Sequence, residues 1–525
     1  MTAPSTPLTR RTLLASSAGA AATAAIAGAG VSRAHATPIW RQGDLFTLGV
    51  ASGDPTADGV VLWTRLALDP VAADGHGGMP DRDIPVQWEL ATDAAFTRVI
   101  RRGGVDAVPA WGHSVHVELE GLPADTEFWY RFRCGQQHSP IGRTQTMPPR
   151  GSTRDLHMVS VSCSHYEGGL FTAYQHAADE RPDVVFALGD YIYEGAGVAS
   201  RFRTHPGSTC ITLADFRRRY GVYKAEAPTR ELHAAAPWIV TWDDHEIQDN
   251  WAGLYPKGGV PTQTWLARRA AGTQAYWENM PLRRRSRPRA ENMDLYRRFS
   301  WGDLVDLHVL DTRQYRDLQA CHDGGRTWWF ANCTEQTNPN RTILGTAQRE
   351  WLTSGLRESP AAWQVLAQSV FFSKRDITPG EVETLGSDGW DGYRADRDKV
   401  IAALASRPES NALVLTGDVH MHFANELKTD FWDPGSRPLG AELVTTAISS
   451  GGDGSDTIRG GPEVLAENPH VRYIANRRGY VSTTISRTEA TARFRTVSAV
   501  TTPGAPVSTD AEFVVPRGEG ALHRR

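Results

Sequence analysis

Residues 183–194 read DVVFALGDYIYE: one aspartate, five apolar residues Val184–Leu188, then a break at Gly189 and Asp190. An apolar run of that length without alternation marks a strand covered on both faces, as in a parallel sheet packed between layers. In an open α/β sheet the functional crevice lies beyond the carboxyl ends of the strands. Asp190 and Tyr193 therefore stand where chemistry is expected. Runs of the same kind recur at 156–163 (LHMVSVSC), 238–244 (WIVTWDD), 304–311 (LVDLHVLD), 363–372 (WQVLAQSVFF), 412–418 (ALVLTGD) and 442–449 (ELVTTAIS). Between them 170–180, 347–358 and 395–406 carry apolar residues at helical spacing. The pattern predicts a layered α/β domain.

Four of these strands end in groups that bind metals. One ends at Cys163, one at Asp190 with Tyr193 three residues on, one at Asp243, Asp244 and His245, and one at Asp418, His420 and His422. The four ends are spread over some 260 positions of sequence, yet a sheet brings its strand ends to one edge. A carboxylate such as Asp190 suits the bridge of a two-metal site, where ions sit ~3.5–4 Å apart.

Residues 37–150 have a different rhythm. GVVLWTRL, VQWELATD, SVHVELEGL and FWYRFRC alternate or are rich in aromatics, with turn residues between them. They predict a small β-sandwich at 37–150, ahead of the layered α/β domain at 151–525; its segment GLPADTEFWYRF (121–132) resembles the fibronectin-III and immunoglobulin-like pattern, which implies that Tyr130 is buried. Residues 1–36 read as a twin-arginine (Tat) signal peptide: Arg10 and Arg11, an Ala/Gly-rich apolar run, and Ala-His-Ala ending at Ala36. The expected product is secreted after passing the Tat export machinery. No transmembrane span is expected, since no other stretch approaches ~18–20 apolar residues. Loss of three arginines and no acids with the leader takes the net charge from −4 to −7, which gives no reason to expect a nucleic-acid partner.

The series SCS, GDYIYEG, WDDHEIQDN, LDTRQYR and TGDVH, behind a Tat signal and an immunoglobulin- or fibronectin-III-like segment, resembles the alkaline phosphatase D (PhoD-like) family of calcineurin-like metallophosphoesterases. The resemblance implies a four-layer α/β sandwich with metal ions at the strand ends. It implies hydrolysis of phosphomonoesters or phosphodiesters by a metal-activated hydroxide, with His245 as the catalytic histidine that assists the leaving group. A tyrosine and a thiolate favour Fe(III) over Mg(II), so Cys163, Asp190, Tyr193 and His420 are expected around iron. Asp190, Asp244 and Asp418 make an all-carboxylate neighbour suited to Ca²⁺, with a second Ca²⁺ nearby and Asp243 and Asn250 as further oxygen donors.

For substrate, His165, His422, Arg313, Arg316 and Lys374 are the candidate contacts. The family includes secreted iron-containing phospholipases D, so a phospholipid substrate and transient contact with a membrane surface form the alternative reading. A catalytically silent secreted binding protein is the second alternative. Neither a Gly-x-Ser-x-Gly elbow nor a phosphate loop is present. With Cys163 taken as a ligand, Cys134, Cys210, Cys321 and Cys333 form an even set able to make two disulfides; pairing of Cys321 with Cys333 would hold the aromatic stretch TWWF (327–330) on a short loop. The sequence leaves the pairing, the natural substrate and the oligomeric state open.

Overall fold

The computed structural model describes residues 38–199, 201–324 and 327–525; the segment expected to direct export lies outside them. All seven apolar runs form strands. Leu156–Val161, Val184–Leu188 and Pro237–Thr241 pair in parallel inside a ten-stranded sheet. Val305–Val309, Trp363–Ala367, Asn411–Thr416 and Pro438–Val444 pair in parallel inside an eight-stranded one.

Side chains on successive strand positions point to opposite faces, and here both faces find cover. Val185 and Ala187 pack with Tyr174, Phe216, Leu232 and Trp265, which come from the helices Thr172–Asp179, Leu213–Lys224, Ala227–Ala235 and Thr262–Asn279. Their neighbours Val184, Phe186 and Leu188 meet Leu307, Val365, Leu413 and Leu443 of the second sheet. On that sheet's far side Leu366 and Val414 pack with Leu352, Leu356, Val400 and Leu404 of the helices Gly345–Glu358 and Arg394–Ala405. The result is helix, sheet, sheet, helix: the four-layer sandwich. Double cover is why the strands carry no polar alternation, since each buried Val, Leu or Phe contributes about 1.5–3 kcal/mol.

In the N-terminal region Ile84–Ala91, Val99–Ala107, Glu127–Cys134, Gln137–His138 and Gly142–Gln145 make a five-stranded sheet. The sheet that faces it is not separate from the catalytic layers. Val50–Gly53 pairs in parallel with Pro237–Thr241, and Val60–Arg65 and Ser114–Leu119 follow it outward, so the ten-stranded sheet itself supplies the second face. Val60, Leu62 and Val117 from one side and Val86, Leu90, Phe128 and Tyr130 from the other fill the space between. Tyr130 is fully buried there.

Candidate metal centre

At the ends of the central strands the backbone turns left-handed on residues that are not glycine. Cys163 has φ 57°, Asp190 55°, Asp418 65° and His420 59°. Such conformations cost of order 1–3 kcal/mol each and collect at functional sites. Gly189, at φ +99°, makes the turn before Asp190 possible: a Cβ there would lie 2.5 Å from Cβ of Asp243. Glu246 then locks two strand ends together. Its buried carboxylate accepts the backbone N–H groups of Asp190 at 3.1 Å, Tyr191 at 2.6 Å and Asp243 at 2.8 Å. Burial and the nearby charge of Asp190 push its pKa up to about 8.

Two ligand sets share Asp190. Cys163, Asp190 and His420 each offer an atom within 4.8 Å of the others, and so do Asp190, Asp244 and His245. Tyr193 joins the first set: its hydroxyl donates to Asp190 Oδ2 at 2.9 Å and lies 2.9 Å from His420 Nε2. Ser450 donates to that phenol oxygen at 2.7 Å, and Ser162 Oγ lies 2.9 Å from Cys163 Sγ. Asp190 Oδ1 and Asp243 Oδ2 are buried without a hydrogen-bond partner.

The electrostatics describe a place built for cations. Burial, reinforced by Asp190, lifts the Cys163 thiol and the Tyr193 phenol well above their ordinary pKa values. Burial likewise raises Asp244 and Asp243 well above the carboxylate range and raises Asp418, with neighbouring carboxylates adding to it. Asp190 goes the other way: His245 and His420 outweigh its burial and hold it low. His245 is raised well above the ordinary histidine range, because Asp244 and Glu194 overcome its desolvation. Its Nδ1 lies 2.7 Å from Glu194 Oε2, and the other Glu194 oxygen accepts the N–H of Asp249 at 2.8 Å.

Tyr193, His245 and His420 open onto a cleft of about 720 Å³ whose wall includes His165, Val198, Arg201 and Phe202. His165 is therefore in the cleft, its ring 4.4 Å from that of Tyr193. Asp418 and Asn250 instead line a smaller cavity of about 180 Å³ with Trp328, Trp329 and Arg375. Asn250, at φ 52°, donates its N–H to Asp244 Oδ2 at 2.5 Å.

Four expected substrate contacts need correction. Arg313 and Arg316 are fully buried; Arg313 holds Asp243 at 2.5 Å and Asp388 at 2.9 Å, and Arg316 holds Asp388 at 3.2 Å. They neutralise carboxylates and do not face the cleft. Asp243, placed among the possible ligands, has one oxygen committed to Arg313. Lys374 pairs with Glu383 at 2.5 Å in a separate depression. His422 is a core histidine between backbone carbonyls of Val444 and Arg495, its ring against Phe494. The disulfide expectation is also half met: Cys321 and Cys333 are bonded, while Cys134 and Cys210 are free and buried.

Family models match the chain twice, as "PhoD-like phosphatase" over residues 158–494 and as "PhoD-like phosphatase, N-terminal domain" over 32–148. The chain belongs to the PhoD-like phosphatase family. It is 44% identical over 485 residues to alkaline phosphatase D of Bacillus subtilis (strain 168), covering 91% of this chain and 82% of that protein. A solved structure of PhoD superposes with a TM-score of 0.88 at 44% identity, over 92% of each chain. A purple acid phosphatase from yellow lupin (Lupinus luteus) seeds matches with a TM-score of 0.53 over 89% of this chain and 74% of that one; at 11% identity it shares the fold alone. This PhoD-like chain is a phosphoesterase of the alkaline phosphatase D type.

Sequence reasoning overlooked Glu194, Glu246 and Arg375. Glu194 and Glu246 are the last residues of the motifs GDYIYE and WDDHE, so the acids within the motifs were the available signal. Arg375 is adjacent to Lys374, which drew attention in its place.

Proposed function

We propose that the protein is exported by the Tat route and hydrolyses phosphate esters at a mixed-metal centre. Cys163, Asp190, Tyr193 and His420 would hold Fe(III); Asp190, Asp244 and Asp418, with Asn250, would hold Ca²⁺, and the family resemblance suggests a second Ca²⁺ nearby. The donor chemistry supports the fit. A thiol and a phenol whose ionisation burial disfavours need a strongly Lewis-acidic ion to hold them as anions, and clustered buried carboxylates suit Ca²⁺. The unpartnered Oδ1 of Asp190, common to both sets, is the single observation that carries the reading.

When bound, the ions supply a nucleophilic water at neutral pH and neutralise charge on the phosphoryl oxygens. The chain's own residues do the rest. Asp190 joins the two sets. Glu194 accepts from Nδ1 of His245 and so holds the ring with Nε2 toward the cleft, where it can deliver a proton to the departing oxygen. Ser450 fixes the phenol of Tyr193. The intact donor set stands against the catalytically silent alternative.

A phospholipid substrate is a second reading with its own support. Val198 and Phe202 on the cleft wall are 40% and 48% exposed, and an apolar rim suits an ester carried on an apolar body. Metal analysis of the purified protein, with rates on 4-nitrophenyl phosphate, bis(4-nitrophenyl) phosphate and phosphatidylcholine vesicles in Ca²⁺, tests both readings. Full activity in iron-free protein would remove the Fe(III) assignment, and idle vesicles beside a fast soluble ester would remove the lipid.

A further inference from the structure

Arg375 is half-buried on the wall of the small cavity beside the centre and, among the described residues, has no carboxylate partner of its own. Arg313 and Arg316 each have acids within 3.2 Å, and Arg397 has Asp391 at 2.6 Å. Among the described residues no carboxylate lies within ion-pair distance of the Arg375 guanidinium, and its Nε is buried without a hydrogen-bond partner. Aromatic faces surround it: its Cζ sits 4.4 Å from the ring centre of Phe371, 4.7 Å from Trp329 and 5.6 Å from Phe423. Its backbone N–H donates to Asp391 at 3.0 Å, which fixes where the side chain starts.

A guanidinium packed against aromatic rings, with its Nε buried and unpaired and its other nitrogens facing the cavity, is completed by an anion there. The cavity it shares with Asp418, Asn250, Trp328 and Trp329 measures about 180 Å³, room for a phosphoryl group and a few further atoms. Three acids line or flank this cavity. Asp388 is neutralised by Arg313 and Arg316, Asp391 by Arg397, and Asp418 belongs to the proposed Ca²⁺ set. Once Asp418 serves a cation, Arg375 keeps its charge for an anion.

The geometry points to Arg375 as a phosphoryl-binding residue: its guanidinium takes non-bridging oxygens of the substrate's phosphate, beside the Asp418 flank of the centre, with Trp328 and Trp329 walling the same pocket. This rests on the phosphoesterase reading of the site and adds to it the side chain that grips the oxyanion. The same chemistry admits free inorganic phosphate, so product should compete for the same place. A guanidinium presents paired N–H donors that match phosphate oxygens, which an ammonium does not reproduce.

The test uses the full chain with its metals bound, as wild type, Arg375→Lys and Arg375→Ala. Rates on 4-nitrophenyl phosphate are measured together with inhibition by inorganic phosphate, metal content and melting temperature. Arg375→Ala is expected to lose about 100-fold in kcat/KM, and the phosphate inhibition constant to rise about tenfold in either variant, with metal content unchanged. Added guanidinium ion at millimolar levels should restore part of the rate to Arg375→Ala and none to Arg375→Lys. Phosphate inhibition within twofold of wild type in Arg375→Ala overturns the inference, as does a loss of rate that tracks lost metal or a lowered melting temperature. Calorimetric titration of inorganic phosphate into wild type and Arg375→Ala reads the subsite without turnover. A wild type that binds phosphate through Arg375 but cleaves no ester would sink the catalytic reading and leave the subsite standing.

Discussion

Glu194 Oε2 lies 2.7 Å from His245 Nδ1, and Glu194 is buried. A carboxylate on that nitrogen selects the tautomer and the ring orientation that leave Nε2 for the cleft. Glu194→Gln keeps the shape and removes the charge, so kcat should fall by about 10- to 100-fold while the metals stay bound. Loss of metal in parallel with rate would place Glu194 in the scaffold of the centre instead. The variant should also shift the alkaline limb of the pH–rate profile downward, because Glu194 is among the charges that hold His245 high.

Cys163 and Tyr193 would give an Fe(III) ion bound between them a visible colour. A phenolate or thiolate on Fe(III) absorbs visible light, so the metal-loaded protein should be coloured and Cys163→Ala should lose the iron, the band and most of the activity together. Cys163→Ala with wild-type rate and spectrum would show that the sulfur is no ligand.

Asp54 and Arg297 form an ion pair with both side chains fully buried, Arg297 donating to Asp54 Oδ1 at 2.7 and 2.9 Å. The same arginine donates to the carbonyl of Val240 at 3.0 Å, inside the strand that leads to Asp243 and Asp244. Asp54→Asn leaves a buried charge half compensated and should cost about 3–5 kcal/mol of stability. Chemical denaturation measures it; a change under about 1 kcal/mol would mean that the pair is solvated in ways the burial does not suggest.

His116, His308 and His470 should make the fold acid-sensitive. Burial lowers each to about 4, so the native state holds them neutral. The unfolded chain takes up those protons near pH 6.5, and stability from these groups is therefore complete above about 6.5 and is lost as pH falls toward 4. Each contributes up to about 1.4 kcal/mol per pH unit across that window. The melting temperature of the metal-loaded protein should fall between pH 7 and pH 5, and His308→Gln should flatten the slope; a midpoint that is level or rises on acidification contradicts this.

The Cys321–Cys333 bond closes a 12-residue separation on the loop that carries Trp328 and Trp329. Reduction should loosen the small cavity before it loosens the sandwich, so a reductant should raise KM more than it lowers the global melting temperature. Equal effects on both would mean that the bridge supports the fold at large.

Much of this molecule could be read from its strands. Double cover leaves a plain signal, an unbroken apolar run, and Cys163, Asp190, Asp244 and Asp418 follow such runs directly. The helices Leu213–Lys224 and Thr262–Asn279 were harder to see. Their buried faces include Arg217, Arg219, Arg268, Arg269 and Glu278, and Arg217 pairs with Glu278 at 2.6 Å, so charges in the interior erase the apolar stripe. The same masking misdirected the substrate contacts. Arg313 and Arg316 look alike in sequence to Arg375; only the position of acids 70 or more residues distant separates a neutralised cation from one without an ion-pair partner. His422 was misjudged because the chain straightens into the strand His422–Lys428 just after the His420 turn, which carries its side chain into the core.

The parallel pairing of Ser52 with Pro237 and Gly53 with Trp238 makes the N-terminal region a permanent cover for one flank of the catalytic layer. Without residues before 150, the strand Pro237–Thr241 would present its unpaired N–H and C=O groups beside apolar side chains that only the intact chain buries. Such an edge is a template for pairing with another copy. Cutting the chain at the join between its two family segments should thus yield aggregates, and a shortened enzyme for practical use would have to keep Val50–Gly53 or replace it with another blocking strand.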